Sequence, residues 1–215
     1  MKIWDVSRTL SNKLAEWPGD EPFRYHLTNE IAKGATVNLG AISMSVHNGT
    51  HADARLHFHA NSESIEKASL DLYLGRAVVV DLSQSFSRLK EKHLITLDDL
   101  RPDAEEIGAT SRLLVKTGRW SDSTVFPKKI PVLAADVPMW LQKNGVKLLG
   151  VDLPSMDEID SKSLQNHRAL ERVGIAIIES LDLSGVAPGV YNFAGLPLKI
   201  AGADGAPVRA VLWRD

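Results

Sequence analysis

Alternation between apolar and polar positions is clearest from Val37 to His47. Ile42, Met44 and Val46 fall on one side of an extended chain, and Ser43, Ser45 and His47 on the other. That period of two predicts a half-buried strand ending in a histidine on its polar face. Residues Gly75 to Leu82 are a short β-branched run, as expected of a buried strand. Residues 112–117, 147–152 and 174–178 read the same way. Helical patterns are fewer. Thr96 stands before Leu97-Asp98-Asp99-Leu100 as an N-cap residue, with acids in the first turn. Residues 135–144 stop at Gly145, and residues 163–172 stop before Gly174. The second of these carries Leu164, His167 and Leu170 at helical spacing, so His167 is expected to face inward. Near the end, residues 198–201 and 208–212 flank Asp204-Gly205, which predicts a hairpin. Strands mixed with a few helices give an α/β class. No linker or repeat interrupts the 215 residues, so one domain spanning 1–215 is expected.

Composition narrows the chemistry. The net charge is -2, with no basic excess of the kind that binding nucleic-acid phosphates requires. No apolar stretch approaches the roughly 20 residues that cross a bilayer. Asp5 follows the first four residues before any apolar stretch builds, so no signal peptide is expected and a cytoplasmic location is. There is no cysteine, which removes disulfides, thiolate nucleophiles and Cys-ligated metals. No Gly-x-Ser-x-Gly elbow points to a serine hydrolase. Any metal must be held by His, Asp or Glu.

Four of the seven histidines, His47, His51, His57 and His59, fall within thirteen residues. Side chains in His47-Asn48-Gly49-Thr50-His51-Ala52-Asp53 converge only if the chain turns back, a freedom that Gly49 supplies. Imidazole with carboxylate suits Zn²⁺, with Mn²⁺ or Fe²⁺ as alternatives. His26, His59 and His93 are expected to be solvated. His167 reads either as a core histidine hydrogen-bonded to backbone or as a ligand. Glu179 closes the apolar run 175–178, so it is an exposed strand end or a carboxylate paired or bound to metal. Trp17, before Pro18-Gly19, can simply cover the core.

The pattern His47-x-Gly49-Thr50-His51-x-Asp53-x-x-x-His57 resembles the signature of the metal-dependent hydrolases of the cyclase family. Further segments resemble it in order: 4–7, 17–20, 73–75, 150–155, 160–162, 196–199 and 202–210. Within the family the likeness is to its bacterial arylformamidase branch. The resemblance implies a swivelling β/β/α fold, a homodimer, and two zinc ions per chain with Mn²⁺ possible. By the same resemblance His47 and His51 bind one ion, Asp53 bridges to a second, and His167 and a second bridging carboxylate, Glu179, hold that one. His57 is the implied acid/base and Trp17 a contact for an aromatic substrate. The implied reaction hydrolyses N-formyl-L-kynurenine to L-kynurenine and formate in tryptophan degradation, with a metal-activated water as nucleophile. Another amide, lactam or ester such as an isatin-like ring would use the same metals, and a non-catalytic metal- or ligand-binding protein would release no formate. Two residues depart from the family pattern: Arg55 stands where proline is usual, and Asn48, a minor change, where threonine is often found. Arg55 is expected to point away from the metals.

Overall fold

The computed structural model describes residues 1–89 and 93–214. Its strands in chain order are β1 (Lys2–Asp5), β2 (Arg24–Asn29), β3 (Leu39–Ser43), β4 (His51–Asp53), β5 (Leu74–Asp81), β6 (Leu94–Ile95), β7 (Arg112–Lys116), β8 (Val132–Leu133), β9 (Leu148–Val151), β10 (Ala176–Glu179), β11 (Gly189–Ala194), β12 (Gly205–Pro207) and β13 (Val211–Arg214). The helices are α1 (Ser83–Arg88), α2 (Leu97–Leu100), α3 (Ala104–Thr110), α4 (Val137–Lys143) and α5 (Gln165–Arg172). Nine strands form one sheet in the order β1-β13-β11-β5-β7-β9-β10-β4-β12. Its centre, β5-β7-β9-β10, is parallel, and antiparallel strands extend it on both sides.

Side chains of the central strands alternate between two cores. Val78, Val80, Leu113, Val115, Leu149, Val151 and Ile177 pack with Phe86, Leu100, Ile107, Val137, Leu141 and Leu170, so the helices cover this face. Ala77, Val79, Leu114, Leu148 and Ile178 face the other way. They meet Ala52 and Ala206 from one margin of the sheet, and Phe193 and Leu212 from the other. Strands far apart in the sheet share one core, so the sheet curls over itself. Helices, central sheet and overturned margins make three layers, in agreement with the α/β class and the β/β/α layering. Parallel strands buried on both faces read as the near-continuous apolar runs seen in the sequence.

Helix ends follow their sequence signals. Thr96 and Asp99 form a capping box at α2. Gly145 and Gly174 take positive φ just after α4 and α5. Three expectations need correction. The strand at 37–47 reaches only Leu39–Ser43, and it pairs with β2 in a separate hairpin instead of joining the large sheet. Leu39 and Ile42 are exposed, because the alternating residues meet no second layer. Residues 198–201 are not a strand; the chain reverses at 201–202, and Asp204-Gly205 leads straight into β12, with Pro197 bridging to Val208 and the Leu198 N–H donating to the Pro207 carbonyl at 3.2 Å. Leu164 lies outside α5 as its cap, at φ 47°. Among the described residues no helix is long and apolar enough to cross a membrane.

Candidate metal centre

Sheet register assembles most of the centre. His51 and Asp53 are two residues apart on β4 and share a face, while Ala52 points into the inner core. β10 runs antiparallel beside β4 and sets Glu179 directly opposite His51. His51 Nε2 lies 3.4 Å from Asp53 Oδ1 and 3.5 Å from Glu179 Oε2. The helix preceding β10 supplies His167, whose Nε2 is 3.1 Å from Glu179 Oε1 and 3.4 Å from Asp53 Oδ2. His47 comes from the turn before β4, with Nδ1 3.1 Å from Asp53 Oδ1. Gly49 holds that turn at φ 67°, a conformation that costs a side-chain-bearing residue strain. A 3₁₀ turn, Arg55–His57, then brings the His57 ring to 4.0 Å from that of His47, centre to centre.

Each of the three inner histidines is anchored at its far nitrogen. His51 Nδ1 donates to the Gly49 carbonyl at 2.9 Å. His167 Nδ1 donates to Asp157 Oδ2 at 2.6 Å. His47 Nε2 donates to Asp204 Oδ2 at 3.0 Å. The near nitrogens therefore converge on Asp53 and Glu179. Anchoring of this kind fixes the tautomer and ring direction of a metal-binding imidazole. Asp157 also accepts the backbone N–H groups of Asn166 and His167 at the start of α5. Glu179 Oε1 accepts the Met156 N–H at 2.7 Å, while Asp53 Oδ2 is buried without a hydrogen bond.

The charges respond strongly. Burial disfavours an imidazolium, yet Asp204 and Asp53 lift His47 to about 9, and Asp53 and Glu179 lift His51 to about 10. His167 is raised well above 6.5 against the same burial, by Glu179, Asp157 and Asp53. Burial pushes the Asp53 carboxyl up, but His167, His47 and His51 together hold it well below 3.8. Glu179 is pushed up by burial and by Asp53, and is lowered on balance by His167 and His51. The carboxylates thus collect protons on the imidazoles, and a divalent cation would displace those protons. Two groups of ligand-capable atoms share Asp53: His47, Asp53 and His57, and His51, Asp53 and Glu179. The unpartnered Asp53 oxygen and the imidazole–carboxylate donor set both fit a metal cofactor.

Beside the centre lies a cavity of about 390 Å³. His47, His51, His57, His167 and Glu179 line one end of it. Its apolar wall is Trp17 edge-on to Phe126 at 5.4 Å, with Trp120 beyond Phe126 at 6.0 Å. Asp152 places Trp120 by accepting from the Thr117 and Gly118 N–H groups at the end of β7. The mouth thus opens at the carboxyl ends of the parallel strands, where open α/β sheets bind ligands.

All seven residues singled out in the sequence, His47, His51, Asp53, His57, His167, Glu179 and Trp17, meet around this cavity or its metal-binding floor. His26 and His93 are exposed. His59 is not simply solvated: Nε2 sits 3.2 Å from Glu171 Oε2. Arg55 binds the other oxygen of Glu171 at 2.9 Å, on the surface of α5. Sequence reasoning missed Asp157, Asp204, Trp120 and Phe126. Asp204 was visible only as a turn residue within a family-like segment and was given no role, and nothing near Asp157 in sequence links it to His167.

A curled α/β sheet with an imidazole–carboxylate centre at its carboxyl edge defines a metal-dependent hydrolase, and the chain belongs to the cyclase family, whose model matches residues 4–158. Within that family it is similar to the kynurenine formamidase of Geobacillus thermodenitrificans, 41% identical over 99% of this chain and 98% of that protein. The kynurenine formamidase of Bacillus cereus is 37% identical over 97% of this chain and 95% of that protein. Among solved structures, a predicted metal-dependent hydrolase from Bacillus stearothermophilus superposes with a TM-score of 0.78 at 25% identity, covering 98% of this chain and 97% of that one. Isatin hydrolase A from Labrenzia aggregata has the same fold, with a TM-score of 0.82 at 20% identity, covering 98% of this chain and 93% of that one.

Proposed function

We propose that the enzyme hydrolyses N-formyl-L-kynurenine to L-kynurenine and formate. One observation carries the chemistry: three imidazoles, each anchored at its far nitrogen, turn their near nitrogens on two shared buried carboxylates. The substrate follows from the formamidase relatives that align along almost the whole chain. In this reading His47, His51, Asp53, His167 and Glu179 would together hold two zinc ions, with Mn²⁺ as the substitute metal. Bound dications supply Lewis acidity and lower the pKa of water toward 7.

The chain's own residues do the rest. An aryl formamide resists water because its amide is resonance-stabilised and its nitrogen leaves poorly as an anion. Hydrolysis breaks the formyl C–N bond, leaves the water oxygen in formate and delivers a proton to the aniline nitrogen. His57 faces the cavity beside the ligands and moves that proton, a contribution of about 10²–10⁴-fold. The Trp17–Phe126 wall takes the substrate ring, and the volume suits one small aromatic molecule. A single domain carries the whole site, working in the cytoplasm as a homodimer. The β2–β3 hairpin supports the dimer, since Tyr25 and Ile42, paired across its two strands, are both exposed apolar side chains of the kind partner chains cover.

The test is a formamidase assay on N-formyl-L-kynurenine with metal analysis of the same sample. Equimolar formate and kynurenine are expected from protein holding about two zinc ions per chain. Activity should vanish on chelation and return with zinc. Loaded protein that releases no formate would leave a binding protein or a hydrolase of another amide, lactam or ester.

A further inference from the structure

Asp204 stands just before β12, and its Oδ2 meets two histidines at once. His47 Nε2 is 3.0 Å away and His57 Nδ1 is 3.1 Å away. An ionised carboxylate only accepts hydrogen bonds, so each ring nitrogen facing it must carry a hydrogen. In a neutral imidazole the other nitrogen then carries the lone pair. For His47 that nitrogen is Nδ1, directed at Asp53 Oδ1. For His57 it is Nε2, on a ring that lines the substrate cavity. Gly205 keeps this contact possible: a Cβ there would lie 2.7 Å from His47 Cε1.

We propose that Asp204 is a positioning residue whose single oxygen sets the tautomers of two histidines with different tasks. It holds His47 with its lone pair toward the metal centre, and His57 with its lone pair toward the substrate. The proposal rests on the acid/base role given to His57 above, and it couples that role to the metal site through one atom. It also explains why an acid sits where a turn signal is read.

Long-range ¹H–¹⁵N correlation spectra of the zinc-loaded enzyme read both ring tautomers directly. The expected result is Nδ1–H for His57 and Nε2–H for His47. Asp204 is half-exposed, so Asp204→Ala leaves both cores intact. In that variant the His57 ring should become a mixture of tautomers. At saturating zinc, kcat on N-formyl-L-kynurenine should fall about 100-fold with KM within about twofold. Zinc should bind about tenfold more weakly. A wild-type His57 carrying its hydrogen on Nε2 overturns the proposal. So does an Asp204→Ala enzyme with wild-type kcat, or one whose rings keep both tautomers while kcat falls. If the wild type releases no formate, the functional reading fails, while the spectra still decide the tautomers.

Discussion

His167 and Asp157 share the shortest hydrogen bond of the centre, 2.6 Å from Nδ1 to Oδ2, and both groups are buried. The same carboxylate accepts two N–H groups at the start of α5. One side chain therefore fixes the helix and the ring it carries. Asp157→Ala should weaken zinc binding about 10–100-fold, the usual effect of losing such a partner. Competition with a zinc chelator measures it; unchanged affinity would mean that Glu179 and packing alone orient His167.

His57→Ala separates ligand from proton carrier. Because His57 lies at the cavity rather than between Asp53 and Glu179, zinc content should stay at the wild-type level. Turnover should fall about 10²–10⁴-fold. Loss of metal together with activity would make His57 a ligand, as its grouping with His47 and Asp53 allows.

Gly205 faces Asp53 across the β4–β12 ladder. A methyl group there would press on the His47 ring at 2.7 Å and on the Ala52 carbonyl at 3.0 Å. Gly205→Ala should cost about 1–3 kcal/mol of stability by overpacking. It should also lower zinc affinity, read in parallel thermal melts of loaded and chelated protein. Equal melting shifts in both states would show that the methyl group is accommodated without moving His47.

Arg55 begins its 3₁₀ turn, and its backbone N–H makes no hydrogen bond among the described residues. Ala54 before it is already extended, at φ -94° and ψ 161°, as a residue preceding proline must be. The Arg55–Glu171 pair is half-exposed and worth about 0–1 kcal/mol. Arg55→Pro should therefore fold normally and leave both kcat and KM within about twofold. A raised KM would mean that the guanidinium reaches the substrate.

The metal-free protein should respond to alkali. His47 and His51 are raised from 6.5 to about 9 and about 10 in the folded state. Their stabilisation is complete below pH 6.5 and is lost as pH rises through those folded values. Chelated protein should thus melt lower at pH 9.5 than at pH 6. Zinc-loaded protein should not show this loss, because its ligands have already given up their protons. A chelated sample whose melting point is flat across this window would contradict the charge pattern of the centre.

Much of the site is local and therefore legible. His47, Gly49, His51, Asp53 and His57 lie within eleven residues, so their spacing alone brings them near one another. The buried parallel strands and the glycine stops of α4 and α5 were equally plain, because each depends on neighbours along the chain. The 37–47 strand misled for a definite reason: alternation records a polar and an apolar face, but not whether anything covers the apolar one. Asp204-Gly205 misled because a turn signal and a histidine-binding carboxylate use the same residue types.

The chain by itself determined an imidazole–carboxylate chemistry without sulfur, two-sided burial of the central strands and an inward-facing His167. Only the tertiary structure decided that Glu179 stands opposite His51, that Asp157 holds His167, and that Asp204 spans His47 and His57. These pairs are separated by ten to well over a hundred residues. Strand register and the curl of the sheet bring them together, and no local pattern encodes which carboxylate will reach which ring.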